Sequence, residues 1–190
     1  MLEDGTTYWR EKTTRKAPHN ALTSTNKLLA SAQKKKYRTT SDAKSVLNYT
    51  TDEVTLEDGQ VATYVKIPYT SYNVVEYNYN EETKKYEKTA KGKKQTDWNT
   101  GDPIAAKNII ITFAENYTIN STNDLQELKN IGKLKGYYLT NGKAIEIICE
   151  KADRKSKTVY KDLQGNEIKV NDGNTFVQIC PINAKVTFEK

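Results

Sequence analysis

The only histidine of the chain is the first side chain to consider for catalysis. His19 stands between Pro18 and Asn20 in the stretch RKAPHN. An imidazole acts as a general base when it reaches the substrate proton and a second group fixes its tautomer. No neighbouring pattern supplies such a partner, whereas proline followed by two hydrogen-bonding residues is typical of a turn. We interpret His19 and Asn20 as a structural joint before a helix, and keep both as candidate binding residues.

Two cysteines are the next residues that could do chemistry. Cys149 and Cys180 each follow isoleucine in an apolar stretch. Their spacing matches neither a CxxC motif nor a zinc knuckle, so the cysteines predict no metal site. Two buried thiols are the favoured interpretation. A disulfide stays open as the alternative, if the two strands are neighbours in an oxidising compartment.

The stretch DWNTGD, residues 97–102, resembles the start of a calcium-binding loop. Asn108 stands where an EF-hand requires its final bidentate glutamate, so the pattern fails there. A turn that leads through Pro103 into the next strand is the preferred interpretation. An enzymatic alternative remains, in which folding brings Asp97 to His19 and the pair acts on a cell-envelope polymer.

Lysines interleave with aromatic residues in the middle of the chain. Cations beside aromatic rings can neutralise phosphates and stack on bases or sugars. The candidate binding residues of this region are Tyr77, Tyr79, Tyr86, Lys93, Lys94 and Trp98. The same pattern is typical of a solvated sheet edge, where lysine prevents unwanted strand pairing. We favour the solvated edge and keep a nucleic-acid or anionic-polymer site as the alternative.

Composition limits the class of protein. The chain has 190 residues, 36% of them hydrophobic, and a formal net charge of +6. This length suits a single domain over residues 1–190. The positive charge favours an anionic partner, but nearly all of it is lysine, which lacks the planar fork that arginine uses for bidentate recognition. No apolar run approaches the length of a membrane span, and the N-terminus lacks the apolar core of a signal peptide.

Helical spacing is strongest in TSTNKLLASAQKKKY, residues 23–37, where Thr23 or Ser24 is a suitable N-cap. Weaker helical patterns occupy SDAKSVLNY, residues 41–49, and DLQELKNI, residues 124–131. Most of the remaining chain alternates with a period of two, which predicts strands.

Three strand patterns stand out. NIIITF is a continuous apolar run that predicts a strand in the centre of a sheet. Asn141 and Gly142 predict a type I′ hairpin in GYYLTNGKAIEI, and a second hairpin is predicted around residues 164–166. The sequence thus predicts an α+β fold, a mostly antiparallel β-sheet with hairpins and one substantial helix in the N-terminal half.

Six stretches spread through nearly the whole chain carry a family resemblance. They are RKAPHN with the helix start TSTNKL, VKIPYTS, VVEYNYNEETKKYEK, GDPIAAKNIII, KGYYLTNGKAIEI and VYKDLQGNEIKVNDGNTFVQICP. In this order they resemble the C-terminal part of the YerB-like family of bacterial lipoproteins, whose function is unassigned. Cys149 and Phe176 stand where this family commonly has tryptophan.

The resemblance implies a location and a domain order. It implies an extracytoplasmic protein held at the membrane by a lipid on an upstream segment, with the signal and an N-terminal domain absent from these residues. It implies no activity.

We therefore expect a non-enzymatic binding or protein-interaction module of the cell envelope. The expected partner is an envelope protein or an anionic cell-wall polymer, and nucleic acid is disfavoured. We expect membrane contact only through the upstream lipid anchor, and no cofactor or metal. The alternatives are an enzyme acting on cell-envelope polymer and a lysine-rich binder of nucleic acid or anionic polymer.

Overall fold

The computed structural model describes residues 6–120, 122–123 and 125–190. The chain divides into two compact units, Met1–Lys44 and Ser45–Lys190. The single domain over residues 1–190 stays a prediction. None of the helices in the described part has the length and apolar character required to cross a membrane.

The first unit contains one strand pair and the helix. Strand β1 (Trp9–Arg10) pairs antiparallel with β2 (Ala21–Leu22), and helix α1 (Thr25–Lys34) follows. Ser24 is the N-cap, because its side chain accepts a hydrogen bond from the Lys27 main-chain N–H at 3.4 Å. Such a cap satisfies one of the unpaired N–H groups of the first helical turn. The predicted helix and one of its two predicted caps are confirmed.

The helix is shorter and more exposed than the substantial helix that was predicted. It has 10 residues, none of which is buried. Leu28 and Leu29, which gave the helical spacing, are 41% and 46% exposed. The helix therefore contributes little to a core. The predicted α+β, mostly β-sheet fold class is confirmed, and only the size of the helix was overestimated.

The two weaker helix predictions are wrong. Residues 41–49 contain no helix, and the Ser45 hydroxyl instead bonds main-chain groups of Leu47. Such local side-chain bonds compete with helix formation. In DLQELKNI, Asp124 lies outside the described residues, and Leu125–Lys129 forms a strand. That strand is fixed by pairing with a long neighbour, which overrides the local helical pattern.

The described part of the second unit contains fifteen strands. They are β3 (Tyr49–Thr50), β4 (Gln60–Val61), β5 (Tyr64–Pro68), β6 (Val74–Asn80), β7 (Lys85–Ala90), β8 (Lys93–Lys94), β9 (Ala105–Ala106), β10 (Asn108–Asn120), β11 (Leu125–Lys129), β12 (Gly132–Thr140), β13 (Lys143–Lys151), β14 (Val159–Lys161), β15 (Val170–Asn171), β16 (Thr175–Pro181) and β17 (Thr187–Glu189). We call β4, β10–β14 and β16 the large sheet, and β5–β9 with β17 the small sheet.

Strand β10 is central in the large sheet, as predicted. Its residue Ile109 pairs with Leu139 of β12 on one side and with Phe176 of β16 on the other. The β10–β16 pair is parallel, whereas every pair within the small sheet is antiparallel. Ile109 and Ile111 belong to one hydrophobic core and Ile110 to another. Cores on both faces explain why this strand is apolar at consecutive positions.

The first core lies between the two sheets. Val65, Ile67 and Tyr77 of the small sheet pack there against Ile109 and Leu139 of the large sheet. Alternate residues of β5 and β6 point inward, as period-two burial requires. The antiparallel meander β5–β6–β7–β8 is confirmed.

The second core covers the opposite face of the large sheet. Ile110, Tyr138 and Ile147 pack there against Leu56 and Ile168, which lie outside the sheet. The chain segments before β4 and after β14 therefore shield this face from water.

The predicted type I′ hairpin is confirmed. Asn141 and Gly142 have φ angles of 50° and 74°, and Thr140 pairs with Lys143 across the turn. The second predicted hairpin is shorter than expected. It closes through an isolated bridge between Lys161 and Glu167.

The two cysteines are free and buried, which confirms the favoured interpretation. Cys180 belongs to the first core and Cys149 to the second. A disulfide does not form because the two thiols lie in different cores. The Cys149 Sγ is 3.2 Å from the Thr112 Oγ1.

We expect both thiols to react slowly with alkylating reagents in the native protein. Burial raises the pKa of both, that of Cys180 to about 11. Near pH 8 the thiolate fraction of Cys180 is then about a hundredfold below that of an exposed cysteine. Labelling rates with iodoacetamide, with and without denaturant, check this expectation. Equal rates in the folded and unfolded protein would contradict it.

Candidate functional site

His19 and Asn20 lie in the first unit. The His19 side chain is exposed, and its main-chain N–H donates to the Lys16 carbonyl at 3.1 Å. Asn20 is buried. Its Nδ2 donates to the Glu11 carbonyl at 2.7 Å, and its Oδ1 accepts from Arg10 Nη1 at 3.2 Å. The Asn20 amide is thus used inside the turn, which supports the interpretation as a joint.

Burial corrects the prediction of Tyr77 and Tyr86 as candidate binding residues. Both rings are fully buried in the first core, because alternation along β6 and β7 points them inward. The Tyr77 hydroxyl accepts a bond from Gln178 Nε2 at 2.6 Å. Tyr79 is half-buried, and its ring centroid lies 5.1 Å from that of Tyr86.

The positive charge of the lysines within residues 84–94 is partly neutralised by acidic side chains. Lys93 and Lys94 are exposed in β8, and Lys94 Nζ lies 3.2 Å from Glu87 Oε2. Lys84 Nζ lies 3.4 Å from Glu53. Exposed pairs of this kind contribute little to stability, but they reduce the charge offered to an anion. The arrangement favours the solvated-edge interpretation.

Residues 97–102 form the predicted turn. The Asp97 carboxylate accepts hydrogen bonds from the main-chain N–H groups of Thr100 and Asn99, at 3.0 and 2.9 Å, and these bonds lower the pKa of Asp97. Trp98 projects from this turn and is 68% exposed. Across residues 6–120, 122–123 and 125–190, no three acidic, histidine or cysteine side chains are grouped as metal ligands.

A groove of about 680 Å³ lies between the edge of the small sheet and the start of β16. Sequence reasoning did not identify it. Its walls are formed by Tyr49, Lys85, Pro103, Ile104, Ala105, Gly173, Asn174, Thr175 and Phe176. We call this the edge groove.

Phe176 is the main aromatic contact of the edge groove. Its ring centroid lies 5.8 Å from that of Tyr77, and Lys88 Nζ lies 5.5 Å from the Phe176 centroid. A cation over an aromatic face is a favourable contact. Lys85 is exposed at the rim, and the described part of the chain gives it no ion pair. The groove therefore joins aromatic surface to uncompensated positive charge.

The floor of the edge groove is held by a chain of hydrogen bonds that leads from its surface into the core. Thr175 Oγ1 accepts from the Tyr49 hydroxyl at 3.1 Å and from Asn108 Nδ2 at 3.2 Å. Asn108 is fully buried, and its Oδ1 accepts from the Tyr138 hydroxyl at 3.1 Å. At the rim, Gly173 has a φ of 129°, a conformation that favours glycine. These constraints present Tyr49 and Phe176 on a preformed wall.

Comparison with known proteins assigns the chain to a family. Residues 65–177 match the family model described as "Protein of unknown function (DUF3048) C-terminal domain". The chain belongs to this family. A relative from Bacillus subtilis (strain 168), named "Putative lipoprotein YerB", is 29% identical over 94% of this chain and 52% of its own length. The YerB-like resemblance is therefore confirmed.

The fold agrees with a solved structure of the same relative. The crystal structure of YerB from Bacillus subtilis matches 97% of this chain with a TM-score of 0.80 and 25% identity, and the match covers 60% of the YerB chain. The chain thus spans about half the length of the curated relative it matches.

Proposed function

We propose that this domain is a non-enzymatic binding module of an extracytoplasmic envelope lipoprotein, and that the edge groove binds an anionic cell-wall polymer. The observation that carries the proposal is the combination of Tyr49 and Phe176 with Lys85 in one groove. Aromatic walls suit the apolar faces of sugar or polyol units, and the lysine suits their phosphate or carboxylate groups. The lipoprotein name of the YerB relative supports the envelope location.

The state of His19 and Asp97, the pair of the enzymatic alternative, favours binding over catalysis. The His19 side chain has no hydrogen bond or ion pair to any described residue, so nothing there fixes its tautomer. The Asp97 carboxylate is occupied by its own turn. The edge groove needs neither group to hold a ligand.

The test is a titration of the purified chain with a soluble poly(glycerol phosphate), followed by calorimetry at low and moderate salt. We expect saturable binding that weakens with salt, because lysines replace counterions on the polymer. Phe176→Ala and Lys85→Glu should each lower the affinity about tenfold or more, since each removes a central groove contact.

Lys155→Glu is the matched control. It makes the same charge change at an exposed site outside the groove, and we expect it to retain most of the affinity. If the polymer fails to bind at low salt, or if Lys155→Glu weakens binding as much as Lys85→Glu, the edge groove is not the polymer site.

A further inference from the structure

Strand β16 is an edge of the large sheet with unpaired main-chain groups. The Asn108 N–H donates to the Asn174 carbonyl at 3.1 Å, which sets the phase of the parallel β10–β16 ladder. In that phase the even-numbered residues of β16 bond β10. The N–H and C=O groups of Thr175, Val177 and Ile179 point away from the sheet, and no described residue pairs with them.

This edge lacks the protection that other edges carry. The stretch TFVQICP contains no charged residue. The side chains of Val177 and Ile179 are 45% and 36% exposed. Natural sheets block such edges with lysine, with bulges or by keeping the strand short. A seven-residue neutral edge is therefore a template for another strand.

The remaining edges of the second unit are protected. Strands β4, β8, β9, β14 and β17 have two or three residues each. The hairpin arm formed by β11 and the second half of β10 carries Glu115, Glu127 and Lys129. Strand β16 is thus the long neutral exception among the described edge strands.

We propose that β16 pairs antiparallel with β16 of a second copy of this chain, which joins two large sheets across a two-fold axis. The strand is self-complementary, because it is neutral and opposes no like charges when paired with itself. In a register centred on Gln178, Val177 lies opposite the partner's Ile179, so that each exposed apolar residue gains an apolar neighbour.

The size and charge of the contact predict how the dimer behaves. One strand pair with its flanking apolar residues forms a small interface, so association is weak and falls in the micromolar range. Each copy has a net charge of +6, so the copies repel and added salt strengthens the dimer. Salt has the opposite effect on polymer binding in the edge groove, and the two proposals fail independently.

The experiment is sedimentation velocity of the full chain over a range of concentrations and salt. We expect a monomer–dimer equilibrium that shifts toward dimer as either rises. Ile179→Lys and Val177→Pro should each weaken the dimer tenfold or more, since the first adds like charges and the second removes an outward N–H. Both variants should keep the wild-type circular dichroism spectrum. Ile179→Lys changes an exposed side chain, and proline at residue 177 is tolerated because the N–H that it removes is unpaired.

Two controls make the outcome decisive. Leu163→Lys adds the same charge at a site that is 60% exposed and outside β16, and should dimerise nearly as the wild type does. Hydrogen exchange in the dilute monomer checks the assigned phase, because the Gln178 amide, which bonds β10, should be protected whereas the Val177 and Ile179 amides should exchange quickly. A chain that stays monomeric throughout, or a dimer unaffected by both β16 variants, overturns the proposal. The proposal is also overturned if the chain stays monomeric and its Val177 and Ile179 amides become protected from hydrogen exchange only when an extended peptide is added.

Discussion

Replacement of Gly136 by alanine is expected to lower the free energy of unfolding by about 3 kcal/mol or more. A Cβ at this position would lie 2.1 Å from the Ile111 carbonyl oxygen and 3.0 Å from Cys149 Sγ. The first neighbour is main chain and cannot rotate away. Ile111 lies in β10, which is paired on both sides, with Tyr137 of β12 and Gln178 of β16. Relief of the clash therefore requires the centre of the large sheet to separate.

Chemical denaturation followed by circular dichroism measures this effect. Gly101→Ala is the matched control, because it adds the same methyl group where no atom lies within 4 Å. Gly101 has a φ of 77°, so its replacement should cost about 1–2 kcal/mol through backbone strain alone. If Gly136→Ala costs no more than Gly101→Ala, the sheet relaxes easily and the close approach of β12 to β10 does not constrain the fold.

The local elements were predictable because their signals are local. The positive φ angles at Asn141 and Gly142 follow from residue type, and Ser24 accepts the cap bond that its position predicted. The continuous apolar run of β10 correctly predicted a strand in the centre of a sheet. In each case the residues concerned are neighbours in the sequence.

The parallel β10–β16 pair was not predictable in the same way. It joins Asn108 to Thr175, and no turn residue sets the register over that separation. The edge groove depends on the same long-range pairing, which brings Tyr49 and Phe176 to one wall. The family resemblance singled out Phe176 only as a departure from an expected tryptophan, and nothing in the sequence singled out Tyr49.

The prediction of Tyr77 and Tyr86 as binding residues failed for a related reason. Tyr77 and Tyr86 alternate with polar residues, which correctly predicts strands but does not say which face is buried. The large sheet covers the tyrosine face, and Lys85 of β7 and both lysines of β8 stay exposed. Because tyrosine occurs both in cores and at binding surfaces, composition alone cannot separate the two.

Removal of the Asn171 side chain should have the second largest effect. Asn171 Oδ1 accepts from the Val54 N–H at 2.7 Å, and its Nδ2 donates to the Val54 carbonyl and to Thr140 Oγ1, both at 2.9 Å. Asn171→Ala leaves these partners unpaired in a buried site, and each lost bond costs about 1 kcal/mol. We expect a loss of about 3 kcal/mol by chemical denaturation. Asn174→Ala, whose side chain is exposed, should cost far less.

Asn171→Asp keeps the volume of the side chain but replaces its N–H donor by an oxygen. It therefore tests whether hydrogen bonding or only packing at this site stabilises the fold. The carboxylate keeps an acceptor for the Val54 N–H but places a second acceptor against the Val54 carbonyl. Burial would raise the pKa of this aspartate, so the folded variant is protonated where the unfolded chain is ionised. Its stability relative to wild type should then fall as pH rises from about 4 to about 8. In this range the unfolded chain has released the proton, so folding must take up a proton, and this becomes less favourable as pH rises. A pH-independent difference between the two proteins would mean that water reaches Asn171 and that the buried network does not hold Val54 against β15.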